Sequence, residues 1–477
     1  MTNPNDRELY DRVMEAGQGH VFRWWPELPD SSRKKLLAQL HSIDFDQVAA
    51  FQKALNRPKP DGRSHPDMKP AHVIRRPVTD EEKKKWREAA ELGKTRIQQG
   101  RVGVFLVAGG QGTRLGFDGP KGCYPIGPVT NKSIFQFHAE KILAAENTWG
   151  VCIPWYIMTS EANHESTSRY FHENKFFGLS PEDVFFNRQR MVPALDGNGK
   201  LILDARDHIF MNPNGHGGAF EAMADGDVLD NAEKRGVDVL SYFQVDNVLI
   251  RIIDPVFIGF HEMARAQMSS KMCRKRGSEE KVGHFVTIDN QLNVIEYIDM
   301  PDEYKAARNP DGSLRFDAGS IGIHLINIDF VRHESSGGIR LPLHVANKKI
   351  RCIMDNGSVA DPEKPNGFKF ETFIFDALKD TERSIVLEVE RDREFSPVKN
   401  KNGADSPRTA RQDLTNYYGS WLSAAGMDVK KDSSGNVCGR IEISPLFARD
   451  LQEFLEKDLS GLVFKEELYL GPDQSGS

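Results

Sequence analysis

Apolar positions recur at two different periods along this chain. After Asp30-Ser31-Ser32, the residues Leu36, Leu37 and Leu40 fall on one helical face, and Asp44 to Leu55 repeats that texture. A Pro-rich, basic connector, Pro58 to Pro77, interrupts it. Thr79-Asp-Glu-Glu82 then has capping-box spacing, and Lys83 to Gln99 continues as a charged helix. Lys83-Lys84-Lys85 has acidic neighbours on both sides and reads as a solvated face, not an anion site.

From Val102 the period shortens. Val102 to Val107 is an unbroken, β-branched apolar run, as expected of a buried parallel strand. Beyond it the pattern predicts a helix from Ser133 to Glu146, a strand from Ile153 to Met158 and a helix from Glu161 to Asn174. A helix from Ala219 to Arg235, a strand from Val237 to Val245 and a helix from Pro255 to Gln267 follow. Two strands within 282 to 300 meet at Asp289-Asn290, a turn signal without the preferred glycine. Ile321 to Ile328 reads as another strand. Alternation of this kind predicts an α/β layer fold, with a Rossmann-like mixed central sheet flanked by helices. After Glu371 to Asp376 the texture shifts again: a strand from Ile385 to Val389, a polar loop from Asn400 to Arg408, then helical pieces and one strand, Arg440 to Ile443. The expected division is a helical N-terminal region (1–100), a central α/β domain (101–384) and a small C-terminal domain (385–477) ending in a mobile tail, Gly471 to Ser477.

Charge narrows the partners. With 63 basic against 69 acidic residues the net charge is −6, so no basic field for nucleic acid is expected. The N-terminus is polar and no apolar run reaches transmembrane length, so neither a leader nor a membrane partner is expected, and a cytoplasmic setting is. Cys123, Cys152, Cys273, Cys352 and Cys438 are odd in number and lack CxxC spacing, which fits reduced packing residues. His164, His172, His208, His261 and His284 show no zinc-ligand spacing.

Chemistry concentrates where the 102–107 run ends. Gly109, Gly110 and Gly112 strip side chains from a loop at a strand end, and Arg114 and Lys121 bring two cations to it: a place to hold polyphosphate. Gly110-x-Gly112-x-x-x-Gly116 is one residue too long for the dinucleotide fingerprint, and no acidic residue stands about 20 positions on. Gly-Lys-Ser/Thr is absent, so it is not a Walker A loop either. Asp246 ends a predicted strand, where ligand sites of parallel sheets open; from the residues alone it is equally a turn cap paired with Asn247.

Leu106-Val-Ala-Gly-Gly-Gln-Gly-Thr-Arg-Leu-Gly116 with Pro120-Lys121-Gly122 closely resembles the signature of the UDP-sugar pyrophosphorylase family, nearest its N-acetylhexosamine branch. Phe185-Phe186, Gln189, Met191-x-Pro193-Ala194, Pro213-x-Gly215-His-Gly-Gly218, Val245-Asp246-Asn247, Val294-x-Glu296-Tyr297, Phe368-Lys-Phe-Glu371 and Phe395-Ser-Pro-Val-Lys399-Asn400 follow in that family's order. The likeness spans about residues 100 to 410. It implies uridylyl transfer from UTP to a sugar 1-phosphate with Mg²⁺. It also implies roles: Ala108, Gly109 and Gly110 at base and ribose, Arg114 and Lys121 on the leaving pyrophosphate, and Lys399 on phosphate, delivered by closure of its segment. Gln189 would meet the uracil edge, Gly215 and His216 would pack on the nucleoside, Glu296 and Tyr297 would bind sugar hydroxyls, and Asp246 would hold the metal. Phe370 and Phe373 read as core.

Two positions depart from the branch. Its second glycine loop carries Asn where this chain has His216, and its strand near Gly319 carries Asn where this chain has Ser320. Both bear on which sugar is preferred: the resemblance implies UDP-N-acetylglucosamine or a related UDP-sugar as product, while the His216 loop form resembles the UDP-glucose and broad-specificity UDP-sugar enzymes, which stand as the alternative. Competing readings from other classes are a nicotinamide-dependent oxidoreductase with a variant loop and a non-catalytic nucleotide-binding protein.

Overall fold

The computed structural model describes residues 4–56, 67–336 and 340–472. Part of the expected Pro58–Pro77 connector and all but the first two residues of the expected tail lie outside them. The chain forms two compact units. Residues 1–64, 189–221 and 334–377 make the smaller, and 65–188, 222–333 and 378–477 the larger.

The larger unit is built on a ten-stranded sheet. Its strands in chain order are β1 (Lys69–Pro70), β2 (Val102–Val107), β3 (Trp155–Thr159), β4 (Val184–Arg188), β5 (Val239–Gln244), β6 (Met268–Arg274), β7 (His284–Ile288), β8 (Gln291–Ile295), β9 (Ala318–Asn327) and β10 (Ser384–Glu388). The spatial order is β1-β7-β9-β5-β2-β3-β4, with β8 on β7, and β6 between β9 and β10. β5, β2, β3 and β4 run parallel. β9 is antiparallel to β5, so the sheet is mixed, as expected. The residues of β2 are buried along nearly its whole length, which is why it reads as an unbroken apolar run.

The predicted elements form for the reasons anticipated. Thr79 caps the helix Asp80–Gln98 in a complete capping box. Ser133 caps Ile134–Trp149, which ends in αL at Gly150. Asp289 and Asn290 both take positive φ, 52° and 62°, the conformation a two-residue hairpin turn needs. The helix expected over Ala219–Arg235 is instead two, Ala219–Asp225 and Val228–Lys234. They break at Gly226, where an added methyl would overlap the Asn187 amide, and Asp227, with φ 58°. Helices Asp80–Gln98 and Pro255–Ala264 cross backbone to backbone: a methyl at Gly93 would overlap the Pro255 carbonyl, and one at Gly259 the Ala89 carbonyl.

The C-terminal segment is not a body apart. Leu414, Tyr418, Trp421, Leu422, Ile441 and Ile443 belong to the same apolar core as β2 and β3. Glu442, fully buried, accepts from Val129 N–H and Thr130 N–H, each at 2.9 Å. The division at residues 100 and 384 is therefore not how the chain divides into compact units.

In the smaller unit, helices Pro4–Glu15, Asp30–Ser42 and Phe45–Leu55 pack on short antiparallel pairs such as Met191–Pro193 with Met211–Pro213 and His344–Lys348 with Gly367–Glu371. Phe370, 1% exposed, stacks on Phe51 at 4.2 Å, confirming it as core. No helix among the described residues is long and apolar enough to cross a membrane.

Candidate active site

The glycine loop leaves the carboxyl end of β2 with its carbonyls turned into protein. Ala108 O accepts from Asn163 Nδ2 at 2.8 Å, Gly109 O from Ser160 Oγ at 2.8 Å, and Gly110 O from Lys121 N–H at 3.1 Å. Asn163 is itself fixed, its Oδ1 accepting Ser160 N–H at 2.8 Å. Among the described residues no acceptor meets the amides of Gly109, Gly110 and Gln111. Carbonyl oxygens satisfied within the protein and amides left without an acceptor suit an anion-binding backbone. Gly112 N–H bonds Gly119 O at 2.8 Å, which folds the loop over and sets Arg114 on an exposed 3₁₀ turn, Thr113–Leu115.

Lys121 comes back under this loop to Asp246, Nζ to Oδ2 at 3.5 Å. Asp246 follows the end of β5 and is 7% exposed. The segment carrying Lys399 is stitched to that strand end. Val398 N–H bonds Asp246 O at 3.0 Å, Ser396 N–H bonds Asn247 Oδ1 at 3.0 Å, and Asn247 Nδ2 bonds Glu394 O at 2.7 Å. Asn247 is thus spent on main chain and does not pair with Asp246. Residues 394–398 are thus joined to that strand end by main-chain and amide hydrogen bonds. Lys399 is half-buried, its amine 5.9 Å from the Phe395 ring. Lys401, which sequence reasoning passed over, lies alongside Gly116: a methyl there would stand 3.4 Å from Nζ.

Glu296 and Tyr297 follow β8 in a turn, both half-buried. A methyl on Gly283 would stand 3.7 Å from Glu296 Oε1, and Ser320 N–H bonds Gly283 O at 2.8 Å. Glu296 and Ser320 therefore both border Gly283.

Gln189, Gly215 and His216 belong to the smaller unit. Gln189, 8% exposed, donates from Nε2 to Asn214 Oδ1 at 3.0 Å and to Gly215 O, leaving Oε1 without a donor among the described residues. Gly215 has φ 82°, and any side chain there would strike Thr372 O. His216 does not project as a free ligand. Its ring stacks on Phe373 at 5.1 Å, and its Nδ1 accepts Ile374 N–H at 3.2 Å. Burial, then the nearby His344, pushes its pKa down to about 4, so it is a neutral ring carrying its proton on Nε2. His344 stacks on the same Phe373 at 4.2 Å and pairs with Asp376 at 2.7 Å. Phe373 is half-buried among these rings, less enclosed than the core reading expects.

The cysteines are free. Burial pushes the Cys123 thiol up to about 12, so it does not serve as a nucleophile. No group of three or more His, Cys, Asp or Glu suited to a metal occurs among the described residues.

The model of the UTP–glucose-1-phosphate uridylyltransferase family matches residues 50–406. The chain is 36% identical to the human UDP-N-acetylhexosamine pyrophosphorylase-like protein 1, over 99% of this chain and 98% of that one. It is 34% identical to the UDP-N-acetylglucosamine pyrophosphorylase of Saccharomyces cerevisiae, covering 95% and 98%. Among solved structures, it superimposes on the UDP-N-acetylglucosamine pyrophosphorylase of Trypanosoma brucei with a TM-score of 0.80 at 27% identity, covering 99% of both chains.

Proposed function

We propose the following reaction for this chain, which belongs to the UTP–glucose-1-phosphate uridylyltransferase family. A phosphate oxygen of a sugar 1-phosphate attacks the α-phosphorus of UTP. The new O–P bond forms as the bond to the β-phosphate oxygen breaks, giving a UDP-sugar and pyrophosphate. The chain is a uridylyltransferase, and N-acetylglucosamine 1-phosphate is its sugar substrate.

The supporting observation is the pairing of Lys121 with Asp246 beside a loop whose Gly109, Gly110 and Gln111 amides meet no acceptor among the described residues. A phosphomonoester is largely dianionic at neutral pH, its second pKa being about 6, so the nucleophile needs no base. What the protein supplies is alignment and charge neutralisation. Arg114 and Lys121 take the charge that develops on the leaving pyrophosphate, with Lys399 on a phosphate of the forming product. The Gly109–Gln111 amides bind phosphate oxygen. In the larger unit the bare backbone at Ala108 admits the nucleoside; in the smaller, Gln189 Oε1 suits a uracil N–H and Gly215 offers bare backbone. His216 acts indirectly, its ring buttressing the Gly215–Gly218 turn. Glu296 and Tyr297 hold sugar hydroxyls.

Asp246 fits Mg²⁺ by its chemistry: one hard carboxylate, poorly exposed, beside a phosphate-binding loop. Mg²⁺ typically takes one or two carboxylates and completes its shell with water and substrate phosphates. When bound it neutralises phosphate charge.

The test supplies UTP and Mg²⁺ with the 1-phosphates of N-acetylglucosamine, N-acetylgalactosamine, glucose and galactose in turn, and measures pyrophosphate. Release is expected only when UTP and sugar phosphate are both present, fastest with N-acetylglucosamine 1-phosphate. A faster rate with glucose 1-phosphate would reassign the sugar, and Ser320 beside Gly283 would be the place to look. No release with any of them would sink the reading.

A further inference from the structure

The turn that carries Asp246 is gripped from beneath by one helix. His138 and Lys141 stand three residues apart on Ile134–Trp149, hence on one face. His138 Nε2 bonds Val245 O at 3.0 Å. Lys141 donates from Nζ to Val248 O at 2.6 Å and to Ile250 O at 2.8 Å. These carbonyls bracket Asp246. The same turn is tied along its top by Val398 N–H and the Asn247 amide, and at its start by Val245 N–H to Val107 O at 3.0 Å.

Val245 O only accepts, so His138 carries its proton on Nε2, and burial keeps the ring neutral by pushing its pKa down to about 3. Lys141 is held in an unfavourable place for a cation: burial draws its pKa down to about 7, only partly offset by Glu394. An apolar side chain would fill this space with less desolvation. What the amine adds is direction, two hydrogen bonds that fix the backbone on the far side of Asp246.

We infer that Lys141, assisted by His138, is a positioning residue that sets the main chain on both sides of Asp246 and so aims its carboxylate at the glycine loop. This rests on the reading of Asp246 as a site carboxylate. It places a requirement for activity on a helix face that touches no substrate.

The test is a double-mutant cycle on the full chain with K141M, D246N and both together. It measures kcat, KM for UTP and for the sugar phosphate, the thermal midpoint, and hydrogen exchange of amides 246–250. K141M is expected to lower kcat by about 10- to 100-fold, with little change in either KM and faster exchange confined to 246–250. In the D246N background it should change kcat by less than about twofold, because the residue being aimed is gone. K141R, which keeps directed donors, should recover most of the rate. H138Q, a smaller change, should show the same non-additivity and decides the matter if K141M does not fold. Additive losses, or unchanged exchange at 246–250, overturn the inference while leaving the role of Asp246 intact. An unchanged kcat in D246N overturns the role of Asp246, and the inference with it.

Discussion

Lys121 and Arg114 differ in what holds them. Lys121 is half-buried and faced by the Asp246 carboxylate at 3.5 Å, whereas Arg114 stands exposed on its 3₁₀ turn. A pre-aimed charge contributes more to the transition state than one that must be ordered first. K121M is therefore expected to lower kcat by about 10²- to 10³-fold and R114A by less, both measured by pyrophosphate release at saturating UTP. Equal rates in K121M and the parent would remove Lys121 from the mechanism. These charged residues were legible in the sequence because loop glycines and flanking cations sit within a dozen positions. Ser160 and Asn163 were not, since they act on loop carbonyls from the end of the neighbouring strand, some 50 residues on. A polar pair just past a predicted parallel strand is the signal that would have found them. His216 was placed in the site by the loop it belongs to, and the bond its ring accepts from the main chain of Ile374 was not legible, since that partner lies 158 residues on.

Elements whose cause is local were read well. The cap at Thr79, the apolar run of β2 and the hairpin at Asp289-Asn290 each depend on a few adjacent residues. The Ala219–Arg235 helix failed because its break depends on Asn187, far away in sequence, occupying the space beside Gly226. The Gly93–Gly259 crossing was likewise silent, since a helix glycine does not show what it approaches. The crossing makes a sharp prediction. G259A drives a methyl into the Ala89 carbonyl and should cost about 1–3 kcal/mol of stability, read by urea unfolding. G277A meets nothing within 4 Å and should lie within about 0.5 kcal/mol of the parent. Equal losses at the two positions would show that helix packing is not the cause.

Over the whole chain, the buried histidines set the acid limit. Burial lowers His138 to about 3, and His216, His261 and His284 to about 4 each. The unfolded chain takes up these protons near the ordinary value of about 6.5, and the folded chain does so only lower. Between those values the unfolded state binds more protons, so stability rises with pH and falls on acidification from 6.5 toward 4. Each such group adds up to about 1.4 kcal/mol per pH unit. Unfolding free energies at pH 7, 6 and 5 should decline accordingly, and H261Q should flatten the slope; an identical slope in H261Q would remove His261 from the loss. At this level the fold class was legible and the division of the chain was not. The smaller unit joins three stretches whose short strands carry no long period, so nothing in any one of them announces the others.

That three-part construction bears on how the protein is made. Phe51 stacks on Phe370, and Val48 and Leu40 share their core with strand residues such as Val192 and Ile209. On the ribosome the first three helices emerge with their apolar faces complete and the covering residues not yet synthesised. At 5–20 residues per second, Phe370 follows Phe51 by roughly 15 to 65 s. Until Val192 and Ile209 are made the helices have only one another to pack against, and until Phe370 follows that core stays incomplete. Its exposure is a property of gene order and not of the finished fold, and a chaperone that clasps the nascent chain near Leu36–Phe51 would meet this protein at its most vulnerable moment.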